Sequence, residues 1–278
     1  MHPLAGVCEK LRRADVHIVS LYNEIIAYTN DSPYALAPHR DLGNGKAGFK
    51  FHIIKEPPLY LSTIIGDAVN NLRCSLDYMA HELTIANRAT PDRQTQFPIA
   101  LTEPDFINQV AGLGKLNRAS VKAIKIASCW QPYRLDEDKR TTHPLFRLAK
   151  LSNLDKHHAL ALCATGGFVN ASFIHPDGRI FISELKDGLI HDGAVVASFP
   201  VDAFDEKIKT QISVSTRVAF KDAPVANLEA LNVVQSIREF IGELILPGFE
   251  PFFDPLPDEL RIRPKGVLMD IIKPIVIG

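Results

Sequence analysis

The sequence predicts an α+β protein: an N-terminal helical bundle packed with an antiparallel β-sheet and a C-terminal helix. Three observations carry this. Apolar residues recur at three- and four-residue steps through much of the first 158 positions, the period changes to two from about residue 159, and a helical period returns over 226–246. Strands that follow one another without intervening helices pair antiparallel. Residues 1–158 are therefore read as the mainly helical region. Residues 159–278 are read as a β-rich region with a closing helix and a proline-rich tail, the two forming one compact unit.

The first helix is expected over Leu4–Tyr28, where Leu11, Ala14, Ile18, Leu21, Ile25 and Tyr28 form the core-facing stripe and His17 lies beside it. Asn30-Asp31-Ser32-Pro33 stops it with turn formers and a proline. Residues 34–57 read as irregular, with a turn at Gly43-Asn44-Gly45 and strand alternation over Phe49–Ile53. Pro57-Pro58 introduces the longest helix, 58–86, because proline costs little in a first turn. Short helices are expected at 103–111 and 117–128, and Gly112-Leu113-Gly114 reads as a turn. A loop from Trp130 to Arg140 leads into a helix over 143–158, with Leu148, Leu151 and Leu154 buried. Candidate strands are 159–164, 168–174, 179–184, 194–200 and 208–220, in a meander turning at Gly166-Gly167, Pro176-Asp177-Gly178 and Asp192-Gly193. The closing helix buries Leu228, Leu231, Val234, Ile237, Ile241 and Leu244, and Val267–Ile277 reads as an extra strand or arm.

With 46% hydrophobic and 23% charged residues over 278 positions, the chain has the composition of a protein that buries an ordinary core. A net charge of −1 supplies no global field toward nucleic acid or an anionic bilayer. Cys8, Cys74, Cys129 and Cys163 include no C-x-x-C pair, so zinc-ribbon and thioredoxin-type motifs are absent; all four are expected to be reduced. The charged, helical start does not read as a secretory signal, and no apolar run reaches the roughly 18 residues of a bilayer span. A cytoplasmic protein with no membrane partner is expected.

The 58–86 helix carries the most informative chemistry. At about 100° per residue, Ile65, Ala68, Leu72, Leu76, Met79 and Leu83 share one face. Asp67, Asn70, Asn71, Cys74, Asp77, Tyr78 and His81 form a band opposite, with Arg73 at its edge. A carboxylate beside an imidazole orients it for proton transfer or metal ligation; the same groups could equally bond neighbouring backbone and fix helix packing. Asp155, Lys156, His157 and His158 form a second cluster. Asp155 and His158 are expected on the buried side of their helix, where each needs a partner. The adjacent His157 and His158 diverge too far to bind one ion together. Lys115, Arg118, Lys122 and Lys125 form a basic helix edge, read as solvated, and Trp130 reads as a packing residue. No G-x-S-x-G elbow, P-loop or dinucleotide motif occurs, and no cofactor is expected.

The segments IIGDAVNNLRCSLDYMAHEL, QPY and HPLFRLAKLSNLDKHHAL together resemble a family of bacterial and phage proteins to which no settled activity attaches. That family shares an IIGD-x-x-x-NLR-x-x-LD helix followed by an L-x-x-x-DKH helix, and RADVHIVSL in the first helix matches it too. The resemblance spans residues 10–160. It implies a binding or structural protein with a polar helix–helix seam, in which Asp67, Asn70, Asn71, Tyr78, Lys156 and His157 would be binding residues.

A weaker resemblance is to HEPN-type ribonucleases, whose sites use an arginine, four to six intervening residues and a histidine, contributed by two bundles of a dimer. Family relatives often carry histidines where this chain has Asn70 and Tyr78; here the first histidine after Arg73 is His81, seven residues intervening. That resemblance implies a metal-independent reaction in which an internal 2′-hydroxyl attacks. Arg73 would stabilise the phosphate, His81 or His158 would serve as general acid/base, and Asp77 or Asp155 would orient the imidazole. RNA and a second copy of the chain are the partners it implies. A third reading is a metal-dependent hydrolase built on His17, His81 and His158.

Overall fold

The computed structural model describes residues 1–41, 43–174, 180–182, 190–200 and 209–261, and the fold is α+β. Helix α1 (Ala5–Asn30) and helix α2 (Tyr60–Ala86) run antiparallel. Tyr78 lies beside Gly6, and Asn71 accepts from Lys10, so rising numbers on one helix meet falling numbers on the other. The predicted stripe of α2 is buried at all six positions, and Leu11, Ala14, Ile18 and Leu21 of α1 face it. Each such large apolar side chain contributes about 1.5–3 kcal/mol.

Helix α3 (Glu103–Ile107) widens into a π turn over Asn108–Gly112, and helix α4 (Val121–Cys129) follows, capped by the Ser120 hydroxyl. Trp130, just after it, packs on Phe249 with ring centroids 5.2 Å apart. Helix α5 (Pro144–Asp155) lies across α2 and ends at Asp155 rather than at 158. Helix α6 (Ala230–Phe240) packs against α1, α2 and α5. Its Arg238, 1% exposed, donates two hydrogen bonds to the Asp15 carboxylate at 2.6 and 2.8 Å, which ties α6 to α1.

The closing helix differs from expectation at both ends. It begins at Ala230 rather than 226, which leaves Leu228 ahead of it and only partly buried. After Phe240 it passes through a π turn, Ile241–Ile245, before one more helical turn, Leu246–Phe249. A wider turn delays the return of the inward face by about one residue. Ile245 is consequently buried, and Leu244, expected in the core, is 51% exposed.

Among the described residues the strands form two three-stranded antiparallel sheets instead of one meander. Strands β1 (Tyr34–Asp41) and β2 (Lys46–Ile53) are a hairpin, and β5 (Val195–Pro200) adds to β2. Strands β3 (Leu162–Ile174), β4 (Ile180–Ile182) and β6 (Lys209–Phe220) form the other sheet, with β3 central. Strand β1 falls where an irregular segment was expected; Pro38 weakens its signal, and it is tolerated because β1 is an edge strand. Gly166-Gly167 makes a register shift within β3, not a turn. A Cβ on Gly167 would lie 2.3 Å from Arg217 Nε, so glycine lets the neighbouring strand's side chain cross there. The turn expected at 176–178 and the strand or arm expected at 267–277 lie outside the described residues.

Ala164, Val218 and Phe220 join the main helical core. Farther along the same strands, Val169 and Val214 share a second core with Ala47, Phe51, Val196 and Ala197 of the other sheet. Among the described residues no helix is long and apolar enough to cross a membrane, and the four cysteines stand as free thiols.

Candidate functional site

The IIGD segment brings α5 against α2. Gly66 is buried, and a Cβ there would lie 2.2 Å from Asp155 Oδ1 and 2.7 Å from its Cγ, so only glycine allows this approach. Burial, and then the nearby Asp67 carboxylate, raises the Asp155 carboxyl above its ordinary range. Asp67 also acts on His17 across the α1–α2 contact, where burial lowers the imidazole's pKa, Asp67 opposes that shift, and Arg13 adds to it. The Asp67 charge thus acts on groups of both neighbouring helices, His17 of α1 and Asp155 of α5.

Nearly two turns further along α2, Arg73 and Asp77 sit at i and i+4, the spacing that places them side by side. Arg73 Nε donates to Asp77 Oδ2 at 3.2 Å, and Nη2 donates to Asp77 Oδ1 at 2.8 Å. The pair then grips the chain across from it: Arg73 Nη2 donates to the Phe97 carbonyl at 2.9 Å, and the Phe97 N–H donates to Asp77 Oδ1 at 3.0 Å.

Two glutamines continue this grip along the 97–100 segment. Gln109 takes the Ile99 N–H on Oε1 and donates Nε2 to the Ile99 carbonyl at 2.7 Å. Gln131, fully buried, accepts from the Ala100 N–H and donates to the carbonyls of Pro98 and Ala127. A segment without regular structure therefore has its backbone groups satisfied by side chains, as a neighbouring strand would satisfy them. Gln131 belongs to the QPY motif, and Arg73 and Asp77 to the NLR-x-x-LD motif.

The remaining predicted residues are dispersed. Asn71 is buried and donates to the Asp67 carbonyl at 2.8 Å. Asn70 is exposed and accepts a thiol contact from Cys74. Tyr78 is exposed, with the Lys10 ammonium 5.7 Å from its ring centroid. His81 is also exposed, paired with Glu82 at 3.4 Å. Tyr78 and His81 line a hollow of about 400 Å³ with Asp77, Glu82 and Thr95. Because α5 ends at Asp155, the backbone N–H groups of His157 and His158 both bond the Leu154 carbonyl. Both imidazoles are exposed, and His158 does not lie on the buried side where the helical pattern put it.

A second hollow, about 240 Å³, opens on the other side of the Arg73–Asp77 pair. It is lined by Arg73, Asp77, Gln96, Gln109, Lys115, Ser152, Asn153 and Lys156, among others. The structure thus joins Arg73, Asp77 and Lys156 at one cleft between α2 and α5. Neither His81 nor His158 is among its lining residues. Gln96 and Gln109 belong to this region and carry no signal in the sequence. Lys115, read as part of a solvated helix edge, lines the cleft instead, and Gln131 stood out only as part of the QPY segment.

His17, His81 and His158 do not converge: among the described residues no group of three or more His, Cys, Asp or Glu could hold a metal ion. Comparison of the chain with protein-family models, with curated proteins and with solved structures found no match.

Proposed function

We propose that this protein acts by binding rather than by catalysis, its motif residues serving as the scaffold of the cleft between α2 and α5. The observation that carries this reading is the engagement of Arg73 and Asp77 with each other and with both backbone groups of Phe97. An arginine reserved for a transition-state phosphate would not have two of its nitrogens committed to a carboxylate and a loop carbonyl, and an aspartate reserved for an imidazole would not bond an arginine and an amide instead. The dispersal of His81, His157 and His158 supports the same reading against a ribonuclease, and the failure of His17, His81 and His158 to form a ligand cluster among the described residues supports it against a metal hydrolase. The resemblance to the bacterial and phage family agrees with it: the shared segments supply Gly66, Arg73, Asp77, Gln131 and Asp155, which hold elements together.

An RNA-cleavage assay with metal analysis of the purified protein tests this. The expected outcome is no cleavage difference between wild type, Arg73→Ala and His158→Ala, and no stoichiometric metal. Cleavage by wild type that disappears in folded His158→Ala would contradict it.

A further inference from the structure

The cleft between α2 and α5 carries an unusual charge arrangement. Three cations line it, Arg73, Lys115 and Lys156, against one carboxylate, Asp77. That carboxylate is already satisfied by Arg73 and the Phe97 amide. Lys115 and Lys156 form no ion pair among the described residues, and Lys115 donates only to the neutral Gln109 Oε1 at 3.2 Å. Arg73 Nη1 has no protein acceptor among the described residues. Gln96, Ser152 and Asn153 add neutral donors to the same lining.

Lys115 reaches the cleft through a backbone device. Gly114 takes φ +76°, a left-handed conformation that favours glycine, and the Lys115 N–H then bonds the Gln109 carbonyl at 2.9 Å. The chain doubles back, and Lys115 is half-buried over the cleft instead of extending along a solvated helix edge. Burial and then the Arg73 charge hold its ammonium below the usual lysine range, with Asp77 and Asp105 acting in the opposite direction. Bringing a partly desolvated ammonium beside a guanidinium is unfavourable unless an anion joins them. A glutamine would satisfy Gln109 without that penalty.

We infer that this cleft is a binding site for a small phosphate-type anion, a phosphate or diphosphate group, held by Lys115, Lys156 and Arg73 Nη1. The inference rests on the binding reading above and names its ligand class. Arg and Lys donors that outnumber the carboxylates around them, with Asp77 already engaged by Arg73 and the Phe97 amide and Asp105 by Gln109, suit a multi-oxygen anion, with charge-assisted hydrogen bonds from each. The volume, 240 Å³, falls below the roughly 300–1,000 Å³ of pockets that enclose a drug-sized ligand, so the cleft suits one anionic group rather than an entire nucleotide.

Calorimetric titration of the full chain with inorganic pyrophosphate, and separately with phosphate, at constant ionic strength tests the inference. The expected result is saturable one-to-one binding of at least one of them, weakened about tenfold or more by Lys115→Gln and by Lys156→Gln. Lys156 is exposed, so its variant reads the site even where Lys115→Gln disturbs the loop. Lys125→Gln removes the same charge from an exposed helix face and should leave binding unchanged. No saturable binding by wild type, or equal weakening in Lys125→Gln, would overturn the assignment. Binding of a single-stranded RNA oligomer without binding of either small anion would overturn it too, while leaving the binding reading intact. RNA cleavage would instead overturn that reading.

Discussion

His143, which precedes the proline that opens α5, caps that helix: its Nδ1 accepts from the Leu145 N–H at 3.1 Å. Its ring meets the Phe240 ring edge-on, centroids 4.9 Å apart. Burial lowers its pKa from 6.5 to about 4. Between those values the unfolded chain takes a proton that the folded protein refuses, because the buried site disfavours the charged ring. The His143 contribution to stability is therefore complete above pH 6.5, falls as pH drops through the window from 6.5 to about 4, and levels off below it. Urea unfolding at pH 7 and about pH 4.5 should show wild type losing about 2–3 kcal/mol more than His143→Asn, which keeps a capping oxygen without the titration. Equal losses in the two proteins would remove His143 from this account.

At the scale of elements, the approach of α5 to α2 depends on Gly66. A methyl group there meets the Asp155 Cγ as well as both oxygens, so rotating the carboxylate does not clear it. Gly66→Ala is expected to cost about 1–3 kcal/mol, and Asp155→Ala in the same chain to recover part of that loss. Strictly additive effects in denaturant titrations would place the strain elsewhere. The π turn in the closing helix makes a second element-scale prediction. Ile245→Ala should cost about 2–4 kcal/mol, and Leu244→Ser should change stability by less than about 0.5 kcal/mol. The reverse order would mean that the helix continues as a regular α-helix. The helical period alone cannot tell these apart, since it places residues 244 and 245 at neighbouring positions on the inward face.

Across the whole molecule, what the sequence made legible is what repeats locally. The stripes of α1 and α2, the change of period near residue 159 and the closing helix all follow from spacing, because each buried face is written in one continuous segment. The partnership of β5 with β2 was not legible. It joins segments nearly 150 positions apart, and its register rests on a few apolar contacts such as those of Ala47 and Phe51 with Val196 and Ala197. The candidate site was legible in the same uneven way. Arg73, Asp77, Asp155 and Lys156 stand out as polar residues on or at the end of otherwise apolar helices, whereas Gln109 enters the cleft from a π turn and Lys115 because the chain reverses at Gly114. Residue types gave no sign of whether Arg73 and Asp77 would face a substrate or a backbone; the contacts with Phe97 supply that distinction.

A double-mutant cycle over Arg73→Ala, Asp77→Ala and the double variant, read by equilibrium unfolding, tests the central claim that these motif residues hold the fold. Their side chains are only 16% and 29% exposed, and removing either leaves backbone groups of Phe97 short of a partner. The account predicts that each single variant loses about 1–3 kcal/mol, with a coupling of at least about 0.5 kcal/mol between them. Neutral or stabilising substitutions, as expected where function is maintained at the expense of stability, would contradict it.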